Sequence, residues 1–145
     1  MDHLVYVDSE AKELERLLAG HKTIIIRGFD KPVTPYNKVF EGDSLFFLTT
    51  KREGVVQARA VAKNVLNTRK LDAKDSKELI NRHLMELMLT EEQLNRYYGK
   101  PFLTMVRVGE VQRIQPFMVN NRSTHGFTDW FITENINKIK NQILM

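Results

Sequence analysis

The chain has 145 residues, 22 Lys and Arg against 18 Asp and Glu, a formal charge of +4, four His and no Cys. That length suits one compact domain, residues 1–145, and 42% hydrophobic residues suffice for a core. The lack of cysteine excludes disulfides, thiolate metal sites and a cysteine nucleophile, and apolar runs such as Ile24–Ile26 fall far short of the roughly 18–20 residues of a membrane helix. With an acidic rather than basic start at Met1-Asp2-His3, the expectation is a cytoplasmic protein.

Leu4–Val7 reads as a strand. Asp8 or Ser9 offers a cap for a helix carrying Ala11, Leu14, Leu17 and Leu18, and Gly20 stands where that helix stops. Three β-branched residues, Ile24–Ile26, then predict a strand buried on both faces. Residues 28–39, with Pro32 and Pro35, form a loop, and Gly42-Asp43 turns the chain into a strand over Ser44–Thr50. Lys51–Gly54 is the expected hairpin turn. In Val55–Leu66, Val56, Ala58, Ala60 and Ala62 alternate with Gln57, Arg59 and Lys63, the period of a half-buried strand. Asp75 with Glu78, and Thr90 with Gln93, have capping-box spacing for two helices. Phe102–Gln115 predicts a long strand, bent at Gly109 and stopped by Pro116. Finally Ile132, Ile136, Ile139 and Ile143 fall on one stripe of a C-terminal helix over about 129–145, whose apolar face would pack on the domain or form a homodimer. Strands that are long and bent, with helices between them, suggest an α+β protein built on a small twisted barrel.

Charge is unevenly spread. Residues 1–20 and 71–95 are each acidic by three, whereas residues 51–70 are basic by five and 100–125 by three. Cations gathered in strand-like segments favour a polyanionic partner.

Leu17-Leu18-Ala19-Gly20-His21-Lys22-Thr23-Ile24-Ile25-Ile26-Arg27, followed by Gly42-Asp43-Ser44-Leu45, resembles the opening of an ASCH domain, a member of the PUA-like superfamily. The resemblance covers about residues 4–115. It implies a PUA-like β-barrel with helices and a cleft that takes RNA or a nucleotide-like ligand, with the basic positions at Lys22 and Arg27. The residues themselves suit that role. Lys22, just after the helix stop, is a point charge on a flexible stem, and Arg27, at the end of an apolar strand, can bond two acceptors at once. The plain alternative is an exposed Lys22 and an Arg27 paired with Asp30 or Asp43.

The motif is also similar to that of bacterial acetylcytidine amidohydrolases. That similarity implies an activating lysine, here Lys22, and a threonine nucleophile three residues on. Ile25 stands there instead, and Thr23 is one residue pair away, about 7 Å along a strand. The downstream glutamate such chemistry needs has candidates in Glu78 and Glu86. A hydrolase acting on a modified nucleoside or on single-stranded RNA is therefore the alternative to a binding domain, and a nuclease would add His125 to Lys22 and Arg27. No two of His3, His21, His83 and His125 share metal-ligand spacing, and the sequence suggests no cofactor or metal. The loop around Asn121, Arg122 and His125 is rich in donors able to read base edges, so the expected binding set is Lys22, Thr23, Arg27, Arg59, Asn121, Arg122 and His125.

Overall fold

The alternation in the middle of the chain is realised as one continuous strand, β4 (Val55–Asn67), whose Val56, Ala58, Ala60 and Ala62 are all buried. The computed structural model describes residues 1–49, 54–120 and 129–143, the side chains of 142 and 143 excepted. Before β4 come β1 (Asp2–Tyr6), α1 (Glu13–Leu18), β2 (Ile24–Phe29) and β3 (Ser44–Leu48). After it come α2 (Ala73–Arg82), α3 (Leu84–Leu87), α4 (Glu91–Tyr97), the 18-residue β5 (Phe102–Val119), β6 (Trp130–Thr133), a 3₁₀ turn (Ile136–Ile139) and β7 (Lys140–Ile143).

These strands form one sheet in the order β2-β5-β4-β3-β1-β6, with β7 also joined to β5. Among the described residues only the β1–β3 pairing is parallel; the other pairings are antiparallel. The sheet curls into a half-barrel around Val5, Leu45, Phe47, Ala58, Ala60 and Val106, and Leu14 and Leu17 of α1 enter the same cluster. Three consecutive isoleucines follow from this geometry. Ile25 points into the curl, while Ile24 and Ile26 point outward into a second cluster with Ile80, Leu87 and Tyr97 of the helices. All three are at most 2% exposed, which favours β-branched residues on both faces of β2.

The expected bend at Gly109 is present. Between the pairs Arg59↔Gln112 and Val61↔Gly109, β5 takes one more residue than β4, and Glu110 has φ 53°. A Cβ on Gly109 would lie 2.7 Å from Lys63 Cε, so the bulge and the close crossing belong together.

Three expectations are corrected. Pro116 does not stop the strand. The ladder skips from Val56↔Phe117 to Ala58↔Arg113, and Pro116, which has no N–H to donate, falls within that irregularity. The cap of α2 is Asp72, whose side chain accepts the Asp75 N–H at 2.7 Å, three residues before the predicted box. Residues 129–143 contain no C-terminal helix. β6 pairs with β1, Ile136 and Ile139 are buried in the 3₁₀ turn against Leu4, Phe46 and Phe117, and β7 pairs with β5. The helical face expected to carry a homodimer is therefore not formed. The predicted hairpin at Lys51–Gly54 lies largely outside the described residues.

Candidate functional site

The first half of the motif folds inward. Asp8 Oδ1 accepts the backbone N–H groups of Glu10 (2.9 Å) and Ala11 (3.2 Å), closing a tight turn before α1. The Asp8 N–H then donates to Glu13 Oε1 (2.9 Å), which fixes the Glu13 side chain. Lys22 follows the helix stop and is 1% exposed. Its Nζ lies 3.4 Å from Glu13 Oε2 and donates to the Leu87 carbonyl. Burial lowers the Lys22 pKa, and the Glu13 carboxylate opposes that shift.

Arg27 is also buried, at 8% exposure, but is held edge by edge. Nη1 donates to the Ile26 carbonyl (2.8 Å), Nη2 to the Tyr6 carbonyl (2.7 Å) and Nε to the Asp129 carboxylate. Its guanidinium lies 5.5 Å from the Trp130 ring centroid, within cation–π range. Burial alone would lower its pKa, but Tyr97, Asp129 and Glu13 outweigh that and raise it further. Trp130 is fixed from behind, since its Nε1–H donates to Nδ1 of the fully buried His3 (2.9 Å). Because the indole N–H can only donate, Nδ1 accepts, and the His3 ring proton on Nε2 donates to Asp43 Oδ2 (2.8 Å).

Arg27 lines a cleft of about 360 Å³. The turn leading to α1 contributes Asp8, Ser9, Glu10 and Glu13, and α4 contributes Glu92, Gln93, Arg96 and Tyr97. The α4 wall is set by a complete capping box. Thr90 Oγ1 accepts the Gln93 N–H (3.2 Å), and Gln93 Oε1 accepts the Thr90 N–H (3.0 Å). Gln93 is 4% exposed, and its amide nitrogen makes no hydrogen bond among the described residues, so its two N–H groups remain available to the cleft. Gly28 permits this wall to approach β2: a Cβ there would be 3.1 Å from both Tyr97 Cδ1 and Lys100 Cβ. The lining holds five carboxylates against two guanidinium groups. Glu13 is matched by Lys22, Asp129 by Arg27 and Glu92 by Arg96 (3.6 Å), which leaves Asp8 and Glu10 without an ion-pair partner among the described residues.

No family model and no curated protein matches this sequence. Among solved structures, the ASCH protein of Zymomonas mobilis is similar over 99% of this chain and 98% of its own, at 15% identity and a TM-score of 0.66. The N-terminal domain of Staphylothermus marinus McrB is similar over 94% of this chain and 90% of that domain, at 7% identity and a TM-score of 0.57. The chain has an ASCH-like fold. Its curled sheet and helices form the α+β arrangement of that fold, as the opening motif implied. Among the described residues no helix is long and apolar enough to cross a membrane.

Within this ASCH-like fold the predicted site residues take different places. Arg27 lines the cleft, whereas Lys22 sits behind Glu13 and does not. Thr23 is half-buried and also absent from the lining; its backbone bonds to Glu86 and Val108. Arg59 is elsewhere on the sheet, donating to Ser44 Oγ (3.0 Å) over the Phe46 ring. Asn121, Arg122 and His125 lie outside the described residues. Arg27 pairs with neither Asp30, which faces Lys100, nor Asp43, which faces His3. Ile25, at the nucleophile position of the hydrolase motif, is 1% exposed in the apolar core. Glu78 is exposed on α2, and Glu86 is taken up by Arg107 and His83.

Glu13, Gln93, Arg96 and Asp129 complete the cleft, and none was among the predicted site residues. Two of them had a signal. Glu13 precedes Leu17 by four residues and so shares its buried face, and Gln93 completes the capping box. Arg96 and Asp129 have none, because only tertiary folding brings them to Arg27.

Proposed function

We propose that this ASCH-like domain binds RNA or a nucleotide, and that the cleft over Arg27 receives the base. One observation carries the reading. A nearly buried guanidinium with five N–H groups commits three of them to protein acceptors, and Arg27 lines an open polar cleft. The volume is in the range of small-molecule sites, and the rings of Tyr6 and Tyr97 border it. In this reading Lys22 is a positioning residue that holds Glu13, and Arg59, Thr23, Asn121, Arg122 and His125 serve the polynucleotide.

Trp130 is the only tryptophan and stacks on Arg27, so its fluorescence reports cleft occupancy. Titration with single-stranded RNA at low salt is expected to change that signal, and Arg27→Lys or the more exposed Arg96→Ala to weaken the response. Absence of any response, together with no retention of RNA on the protein at low salt, ends the reading.

A further inference from the structure

We infer that the cleft is selective for a base carrying an exocyclic amino group, such as cytosine or adenine, and that it keeps the phosphate of a nucleotide outside. This rests on the base-binding reading above and deepens it. The balance of donors and acceptors carries the inference. Asp8 spends one oxygen on two backbone N–H groups and leaves the other open, and Glu10 makes no side-chain hydrogen bond among the described residues. Both are acceptors only, and each suits an amino N–H. Opposite them in kind are the accessible, unpartnered amide nitrogen of Gln93, a residue otherwise 4% exposed, and the remaining N–H groups of Arg27, which suit a ring nitrogen or a carbonyl. Cytosine presents an amino group, a ring nitrogen and a carbonyl along one edge. Uracil puts a carbonyl where the amino group would be, which faces carboxylate oxygen with oxygen.

The same charges speak against phosphate. The guanidinium of Arg27 is already matched by Asp129 and that of Arg96 by Glu92, so among the described residues the lining offers no surplus cation, while Asp8 and Glu10 are surplus anions. A phosphate dianion placed here meets net repulsion. The cations of the sheet, which lie outside this cleft, are where a polynucleotide backbone would be accommodated.

The test uses the full chain and Trp130 fluorescence, with cytidine, adenosine, uridine and cytidine 5′-monophosphate as probes. Cytidine and adenosine are expected to bind roughly tenfold more tightly than uridine, the equivalent of one hydrogen bond to a charged acceptor. Cytidine monophosphate is expected to bind no better than cytidine, and the nucleoside affinities to be insensitive to salt. Asp8→Asn keeps an oxygen for the turn, and Glu10→Gln is exposed, so the double variant is expected to fold. It should narrow the cytidine-to-uridine ratio and raise affinity for the monophosphate. Equal binding of cytidine and uridine, tighter binding of the monophosphate by the unsubstituted protein, or a response to spermidine alone overturns the inference. RNA binding with no nucleoside response also overturns it, placing the polymer elsewhere. Failure of RNA and nucleosides alike removes the base-binding reading itself.

Discussion

Lys22 and Arg27 stand five residues apart in one motif, both buried, yet their surroundings differ in kind. Around Lys22 the interior is closed. The ammonium has a carboxylate at 3.4 Å and a backbone carbonyl, both on packed elements, and it does not line the cleft. Around Arg27 the interior is open on one side. Its carboxylate partner Asp129 is 44% exposed at the side chain, and the guanidinium faces a cleft. The contrast separates two uses of a buried cation. One completes a wall, and the other presents its remaining donors to whatever enters.

The sharpest way to break the comparison is to remove each cation's partner structure. Lys22→Ala leaves the Glu13 carboxylate uncompensated at 5% exposure. The expected cost is about 3–5 kcal/mol in urea unfolding, the range for breaking a buried pair. Replacing both partners, as Lys22→Met with Glu13→Leu, removes the charges together and is expected to cost far less than the single change. A double variant as unstable as the single one would show that packing, not charge pairing, closes this region.

Much of the sheet was legible in the sequence, and the settings of Lys22 and Arg27 were not. The triple isoleucine, the alternation in β4 and the bend at Gly109 are local patterns with one physical outcome, and all three are formed. The C-terminal isoleucines show why periodicity alone is insufficient. Their spacing fits a helix, but β-branched residues also suit strands, and pairing of β6 with β1 and of β7 with β5 decides the matter. The β6–β1 pairing joins residues more than a hundred positions apart, as do the contacts of Arg27 with Asp129 and of Trp130 with His3. No window along the chain contains them.

The support behind Arg27 gives a pH test of intermediate size. Burial lowers the His3 pKa from 6.5, against the opposing pull of Asp43. The unfolded chain therefore holds the proton at pH values where the folded one does not. The resulting stability is fully present above 6.5 and is lost as pH falls from there through the lowered folded value. Protonation also turns Nδ1 into a donor facing the Trp130 N–H, so Trp130 fluorescence should change in the same window. His3→Phe is expected to cost about 1–3 kcal/mol at neutral pH, because it strands the Trp130 N–H and an Asp43 oxygen. It should also flatten the acid dependence below 6.5. An unchanged slope in that variant assigns the titration to another group.

The smallest effect concerns the α4 wall and separates stability from recognition. Thr90→Ala removes the acceptor for the Gln93 N–H and with it half of the capping box. The expected cost is about 1 kcal/mol, the usual value for losing such a cap. The core below should not notice, because Tyr97 stays packed on Gly28. Binding should, since the Thr90 backbone N–H that holds Gln93 Oε1 is no longer anchored by the Oγ1 half of the box, and the Gln93 amide loses its fixed orientation in the cleft. The expected signature is a modest fall in the urea midpoint with a larger proportional fall in nucleoside affinity. A matching fall in both would mean that Gln93 supports the helix and does not present its amide to a ligand.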